Sequence, residues 1–256
     1  MSRFFTSDWH LNSTLINQYA HRPWITDITN VDNLIRNCDE VASSKSDIVF
    51  HVGDFILIGK DRHGRDVDVQ YLHNDADSYR SMLKANIVLL SGNHDDGRNC
   101  ETSAKSMVID LNHNYRNVYV SHFPSDHQQY RGPVGYGLKK KDVRIVLCGH
   151  VHQKWKYFYD RRNHVLNYNV GVDCHDYKPV RDSDITEDLD FILAHHSFTT
   201  EWKMTVSDEI EFRKSVKYRI KLGREIRNEE RHIKKGLTPE ECERRRLEAM
   251  KAKGLI

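Results

Sequence analysis

The sequence predicts an α/β fold followed by a helical, charged C-terminal extension. Three observations carry this: apolar runs alternate with helical periodicity over residues 3–90, strand-like runs dominate residues 106–172, and the charge balance changes near residue 207. The boundary divides the chain into a body, 1–206, and an extension, 207–256.

The first strand is expected over Arg3–Thr6 and runs into Ser7, Asp8, Trp9 and His10. Residues 11–28 lack a clean period, and Pro23 disfavours helix before it, so a loop lying over the strand end is expected. From Asn30, a candidate N-cap, the positions Val31, Leu34, Ile35, Cys38, Val41 and Ala42 repeat at helical spacing. A second strand, Ile48–Val52, leads into Gly53 and Asp54, then a long loop, Phe55–Asp68. A helix over about Asn74–Lys84 precedes a third strand, Ile87–Leu90, which ends in Gly92, Asn93, His94 and Asp95. Further strands are expected at Ser106–Leu111, Val118–Val120, Val143–Cys148, Lys156–Phe158 and Val165–Val172, interrupted by a surface loop over Pro124–Asp142. Amphipathic stretches follow at about 188–194 and 207–235. Thr238, Pro239 and Glu241 mark the start of a last helix through a capping box.

Composition narrows the classes. With 38% hydrophobic and 30% charged residues, and no run of 18 apolar residues, no membrane span is expected. The start lacks a signal-peptide pattern, so a cytoplasmic protein is expected. Five cysteines without C-x-x-C spacing indicate neither a disulfide framework nor a thiolate zinc site. Residues 207–256 hold 15 Lys+Arg against 10 Asp+Glu, leaving 24 against 27 for residues 1–206. The acidic body suits divalent cations; the basic extension could touch nucleic acid, pair with another copy, or be a solvated helical face.

Polar residues at strand ends form the candidate site, because open α/β sheets bind ligands at the carboxyl ends of their strands. The runs above deliver Asp8, His10, Asp54, Asn93, His122, His150 and His152, expected at one edge of one sheet. Carboxylate, amide and imidazole donors without thiolate suit Mn, Fe, Ni or Zn, and the set is large enough for two ions. Two ions sharing a carboxylate could hold a hydroxide between them and offset the charge of a phosphoryl transfer.

Asp8-x-His10, Gly53-Asp54, Gly92-Asn93-His94-Asp95, a separate His122 and Gly149-His150-x-His152 resemble, in order, the motifs of the calcineurin-like metallophosphoesterases. The resemblance spans residues 3–175. It implies a two-sheet αββα sandwich and two divalent ions, manganese favoured. By it, Asp8, His10, Asp54 and His152 would hold one ion, and Asp54, Asn93, His122 and His150 the other. His94 would face the phosphate with Asn93, as a catalytic group oriented by Asp95. Phe4 to His10, with Tyr19, His21, Arg22, Pro23 and Trp24, resembles a bacterial and phage branch, as do Asn169 to Asp173, and by general likeness the chain resembles more particularly the phage deoxynucleoside 5′-monophosphatases, which would work in the host cytoplasm. Arg22, in that early loop, is a candidate phosphate clamp. The implied activity is a phosphomonoesterase acting on a small phosphate ester such as a nucleotide. Alternatives are a phosphodiesterase or nuclease with the same metals, and a non-catalytic scaffold. Phe55 to Gly59 depart from the Gly-Asp-x-x-Asp-Arg-Gly pattern of protein phosphatases.

Overall fold

The computed structural model describes residues 1–24, 26–57, 75–95 and 100–233. Its first three strands, β1 (Arg3–Thr6), β2 (Ile48–Val52) and β3 (Asn86–Leu90), pair in parallel in the order β3-β2-β1. Register explains what this sheet delivers. Thr6 lies opposite His51, and Val52 opposite Leu90, so the three strands end level and their following segments emerge at one edge.

A second, six-stranded sheet follows. It contains β4 (Ser106–Ile109), β5 (Val118–Ser121), β6 (Ile145–Cys148), β7 (Tyr157–Asp160) and β8 (Val165–Asn169). Within it β5 and β6 pair in parallel, as do β6 and β8, so His122 and the segment after Cys148 also share an edge. A two-residue strand, β9 (Val180–Arg181), closes the first sheet antiparallel to β1, and β10 (Trp202–Met204) extends the second beside β7. The site residues thus come from two sheets, not from one. The edges join through backbone: Ser7 bridges Gly171, and the Val172 amide donates to the Ser7 carbonyl at 3.2 Å.

Helices cover the first sheet because its strands are apolar on both faces. Helix α1 (Thr14–Tyr19) occupies part of the expected early loop, its six residues being too few to show a period. Helix α2 (Asp27–Val41) begins earlier than expected, capped by Thr26, whose side chain forms a reciprocal box with Thr29. Asn30 is therefore not the cap but a buried residue inside the helix. Val31, Leu34, Cys38 and Ala42 pack with Phe4, Val49, Ile87 and Leu89 into one core cluster, joined by Ala76 and Tyr79 of α3 (Ala76–Ser81). Truncating a fully buried residue such as Leu34 to Ala costs about 2–5 kcal/mol.

The segment expected as a surface loop, Pro124–Asp142, lends Tyr130 and Leu138 to a second cluster with Tyr119, Val146, Phe158 and Val165, and so covers part of the second sheet. Helix α4 (Asp182–His195) is twice the length of the expected stretch; Asp182 and Asp184 suit its first turn, where carboxylates meet the helix dipole. Cys38, Cys100, Cys148 and Cys174 are buried.

Backbone contacts divide the chain into two units, Met1–Val206 and Ser207–Ile256. The described part of the second is helix α5 (Val206–Ile233), along which Arg213 pairs with Glu209 and Lys214 with Glu211, interleaving its charges. No helix among the described residues is long and apolar enough to cross a membrane. The expected basic loop beyond Leu57 up to Asp68, the expected helix start at Asn74, and the helix signalled at Thr238 lie outside the described residues.

Candidate metal centre

The segments after β1, β2 and β6 leave their sheets through left-handed backbone. Five of the seven candidate donors, Asp8, His10, Asp54, His150 and His152, have φ between 49° and 72°, a left-handed conformation that non-glycine residues occupy sparingly. Strain of this kind persists where surrounding structure fixes it, as at functional sites. Glycine provides the room. A Cβ on Gly92 would lie 2.1 Å from Asp54 Oδ1, and one on Gly149 would lie 2.0 Å from Ser7 Oγ and 2.4 Å from Asp8 Oδ2.

The donors converge on Asp54. Its Oδ2 lies 3.2 Å from His122 Nε2, 3.5 Å from His10 Nε2 and 4.0 Å from His94 Nε2. Asn93 Oδ1 lies 3.1 Å from His122 Nε2 and 2.9 Å from His150 Nδ1. On the other side, Asp8 Oδ1 is 3.9 Å from His10 Nε2, and the carboxylate accepts the His150 amide at 3.0 Å. Three overlapping groups have donor atoms within 4.8 Å of one another: Asp8, His10 and His152; His10, Asp54 and His94; Asp54, His122 and His150. The structure thus brings together all seven expected donors and His94.

The electrostatics are those of a buried charge cluster. Burial would raise Asp54, but His122, His10 and His94 outweigh it and hold the carboxyl well below its usual range. Burial raises Asp8, drives His10 well below the ordinary histidine value, and lowers His150 to about 4 with help from His122 and His127. Burial opposes charging of His122, yet Asp54 overrides it and lifts the imidazole to about 9. A divalent cation fits this set. His10 Nε2 is buried without a hydrogen-bond partner, and deprotonated Asp54 gathers imidazole nitrogens that a cation would draw in as neutral donors. His122 is already oriented for this, since its Nδ1 donates to the Val52 carbonyl at 2.9 Å and leaves Nε2 for the centre.

Three residues stand where no sequence pattern foretells. Asp95 acts on backbone: its carboxylate accepts the amides of Gly92, Asp54 and Phe55 at 2.7–2.9 Å, tying the two loops together. Arg22 is no surface clamp. Its guanidinium turns inward, bonds both carboxylate oxygens of Asp173, and donates to the carbonyls of Asp8 and Trp9 and to Asn30 Oδ1. His127, one among sixteen histidines in the sequence and without a motif, comes to the rim: its ring lies 4.7 Å from that of His150 and stacks on Phe123 at 4.6 Å. Only tertiary structure places it there.

Asn169 and Asp173 hold positions that no motif marks. The Asn169 amide donates to the carbonyls of His152 and Trp155, and Asp173 Oδ2 accepts His152 Nδ1 at 2.8 Å.

Fold and site define a two-sheet α/β protein whose joined strand ends carry a cradle for divalent cations. Residues 1–124 match the calcineurin-like phosphoesterase family. His150 and His152, beyond the matched residues, complete the cradle. No curated protein matches the chain. Among solved structures, a protein of unknown function from Aquifex aeolicus, AQ665, is similar at 21% identity and a TM-score of 0.48, over 73% of this chain and 98% of that one. A single mutant of Vps29 from Entamoeba histolytica is similar at 16% identity and a TM-score of 0.31, over 66% of this chain and 73% of that one.

Proposed function

We propose that this protein is a metal-dependent phosphoesterase that releases phosphate from a small monoester, a nucleoside or deoxynucleoside 5′-monophosphate being the preferred class. The observation that carries the reading is Asp54, whose Oδ2 gathers the Nε2 atoms of His10 and His122 from two different sheets. Asp8, His10, Asp54 and His152 would hold one divalent ion, and Asp54, Asn93, His122 and His150 the second. Two such ions, when bound, activate water near neutrality and offset phosphoryl charge; manganese is the favoured pair.

The remaining residues act directly. His94 keeps 29% of its side chain exposed at the rim, while its amide is pinned to Asp54 Oδ1 at 2.9 Å. It would meet the phosphoryl group beside Asn93 and give a proton from its ring to the leaving oxygen. Asp95 holds the loop that carries both. Aromatic groups on either flank support a nucleotide. Tyr19, 58% exposed, lies 5.6 Å from the His152 ring, and the Phe123–His127 stack lies beside His150.

The test is hydrolysis by metal-stripped protein resupplied with Mn²⁺, offered a deoxynucleoside 5′-monophosphate, a bis-ester and short single-stranded DNA. Phosphate release from the monoester alone is expected. Cleavage of the diesters would overturn the monoesterase assignment and direct attention to residues 124–142 and the basic extension as substrate grips. No turnover of any would overturn the enzyme reading for nucleotides.

A further inference from the structure

Two histidines of the cradle are oriented by different means. For His122 the acceptor is a backbone carbonyl, Val52 O. For His152 it is a side chain, Asp173 Oδ2, at 2.8 Å. Asp173 in turn is fixed by Arg22, whose Nε donates to Oδ1 at 2.8 Å and whose Nη2 donates to Oδ2 at 3.1 Å. The pair is dry, with side-chain exposures of 0% and 1%. An ion pair so buried is costly unless its remaining hydrogen-bonding groups are satisfied. Here they are: Nη1 donates to Trp9 O and Asn30 Oδ1, and Nη2 also donates to Asp8 O.

This chemistry has a direction. A carboxylate held by a guanidinium has lone pairs and no proton to offer, so the hydrogen of the contact sits on His152 Nδ1. Nε2 is left as the only nitrogen of the neutral ring able to donate electrons. His152 belongs to the donor group with Asp8 and His10, not to that with Asp54, His122 and His150. Arg22 also grips the Asp8 carbonyl, so one guanidinium steadies two donors of the same group.

We infer that Arg22 and Asp173 are a positioning pair that fixes the His152 ring with Nε2 toward Asp8 and His10, and so sets divalent-cation affinity in that half of the cradle alone. Neither residue touches substrate. The inference rests on the proposed function only in taking these donors as metal ligands, and it makes the two halves unequal in a way the ligand list does not reveal. Removing an outer partner of this kind typically weakens metal binding by about 10–100-fold.

The experiment is calorimetric titration of Mn²⁺ into the metal-free full chain, for the wild type and for Asp173→Asn, each also in a His150→Ala background. The wild type is expected to bind two equivalents. Asp173→Asn should weaken one of them about 10–100-fold and leave the other unchanged; with His150→Ala, which disables the opposite half, the weakened equivalent should be the one that remains. Nitrogen-resolved NMR of the metal-free wild type should show the His152 hydrogen on Nδ1. If Asp173→Asn does not fold, Arg22→Lys, which keeps the cation but loses the fork, takes its place in the same titration. Two equivalents at wild-type affinity in the folded variant, an equal loss at both, or an Nε2–H tautomer would overturn the inference. A wild type that binds no divalent ion would instead refute the proposed function, and the inference with it.

Discussion

His51 tests the physical reading of the floor beneath the cradle. It sits on β2, fully buried, its ring 5.3 Å from Trp9 and 4.9 Å from Phe55, with neither nitrogen hydrogen-bonded. Burial holds its pKa at about 3; Asp54 opposes this and His122 adds to it. A group depressed in the folded state gives stability that is present above its unfolded pKa, about 6.5, and is lost as pH falls toward the folded value. Between those values the unfolded chain binds a proton that the folded chain refuses, so stability falls by about 1.4 kcal/mol per pH unit. From pH 7 to pH 5 this single residue removes about 2 kcal/mol. The perturbation is His51→Leu, which keeps an apolar filling and removes the titration. Urea unfolding of metal-free wild type and variant at both pH values gives the difference directly, other groups cancelling. The wild type should lose about 2 kcal/mol more than the variant on acidification. Equal losses would show that His51 either accepts a proton in the folded state or is hydrated, and the burial argument would fail.

Other predictions concern the rim and the loops. His94→Ala should lower turnover about 100- to 10,000-fold while two equivalents of metal remain, measured by elemental analysis beside steady-state kinetics; unchanged turnover would remove His94 from the chemistry. Asp95→Ala strands the amides of Gly92, Asp54 and Phe55 and should cost at least about 2 kcal/mol in urea unfolding; a loss under 0.5 kcal/mol would mean that water replaces the carboxylate. Gly149→Ala forces a methyl group against Ser7 and Asp8 and should cost about 1–3 kcal/mol, with weakened metal binding read by calorimetry.

What the sequence revealed follows from what leaves a local trace. Apolar runs ending in Asp, Asn or His are local, so β1, β2, β3, β5 and β6 and the seven candidate residues at their ends are legible. Which sheet each strand joins is not local: the parting after β3 is decided by pairing of β5 with β4 and β6, partners that no periodicity records. Strands of two and three residues, such as β9 and β10, are too short to alternate, and the acidic start of α4 reads as loop until the helix dipole is considered. Asn30 looked like a cap because it precedes the clearest apolar repeat, yet Thr26 caps the helix and Asn30 receives Arg22 instead. Arg22 itself looked free because arginine in a polar loop usually is. Its acceptor Asp173 lies 151 residues away, and the contact exists only once the two sheet edges meet.

In the proposed function, Asp54 joins two donor groups into one centre that hydrolyses phosphate esters. The most direct measurement titrates Mn²⁺ into metal-free protein while following both binding and phosphate release from a deoxynucleoside 5′-monophosphate, for wild type and Asp54→Ala. Wild-type activity should reach its plateau at two equivalents, and Asp54→Ala should lose binding in both groups and all release. Full activity at one equivalent, or metal-dependent release by Asp54→Ala, would contradict the proposed function.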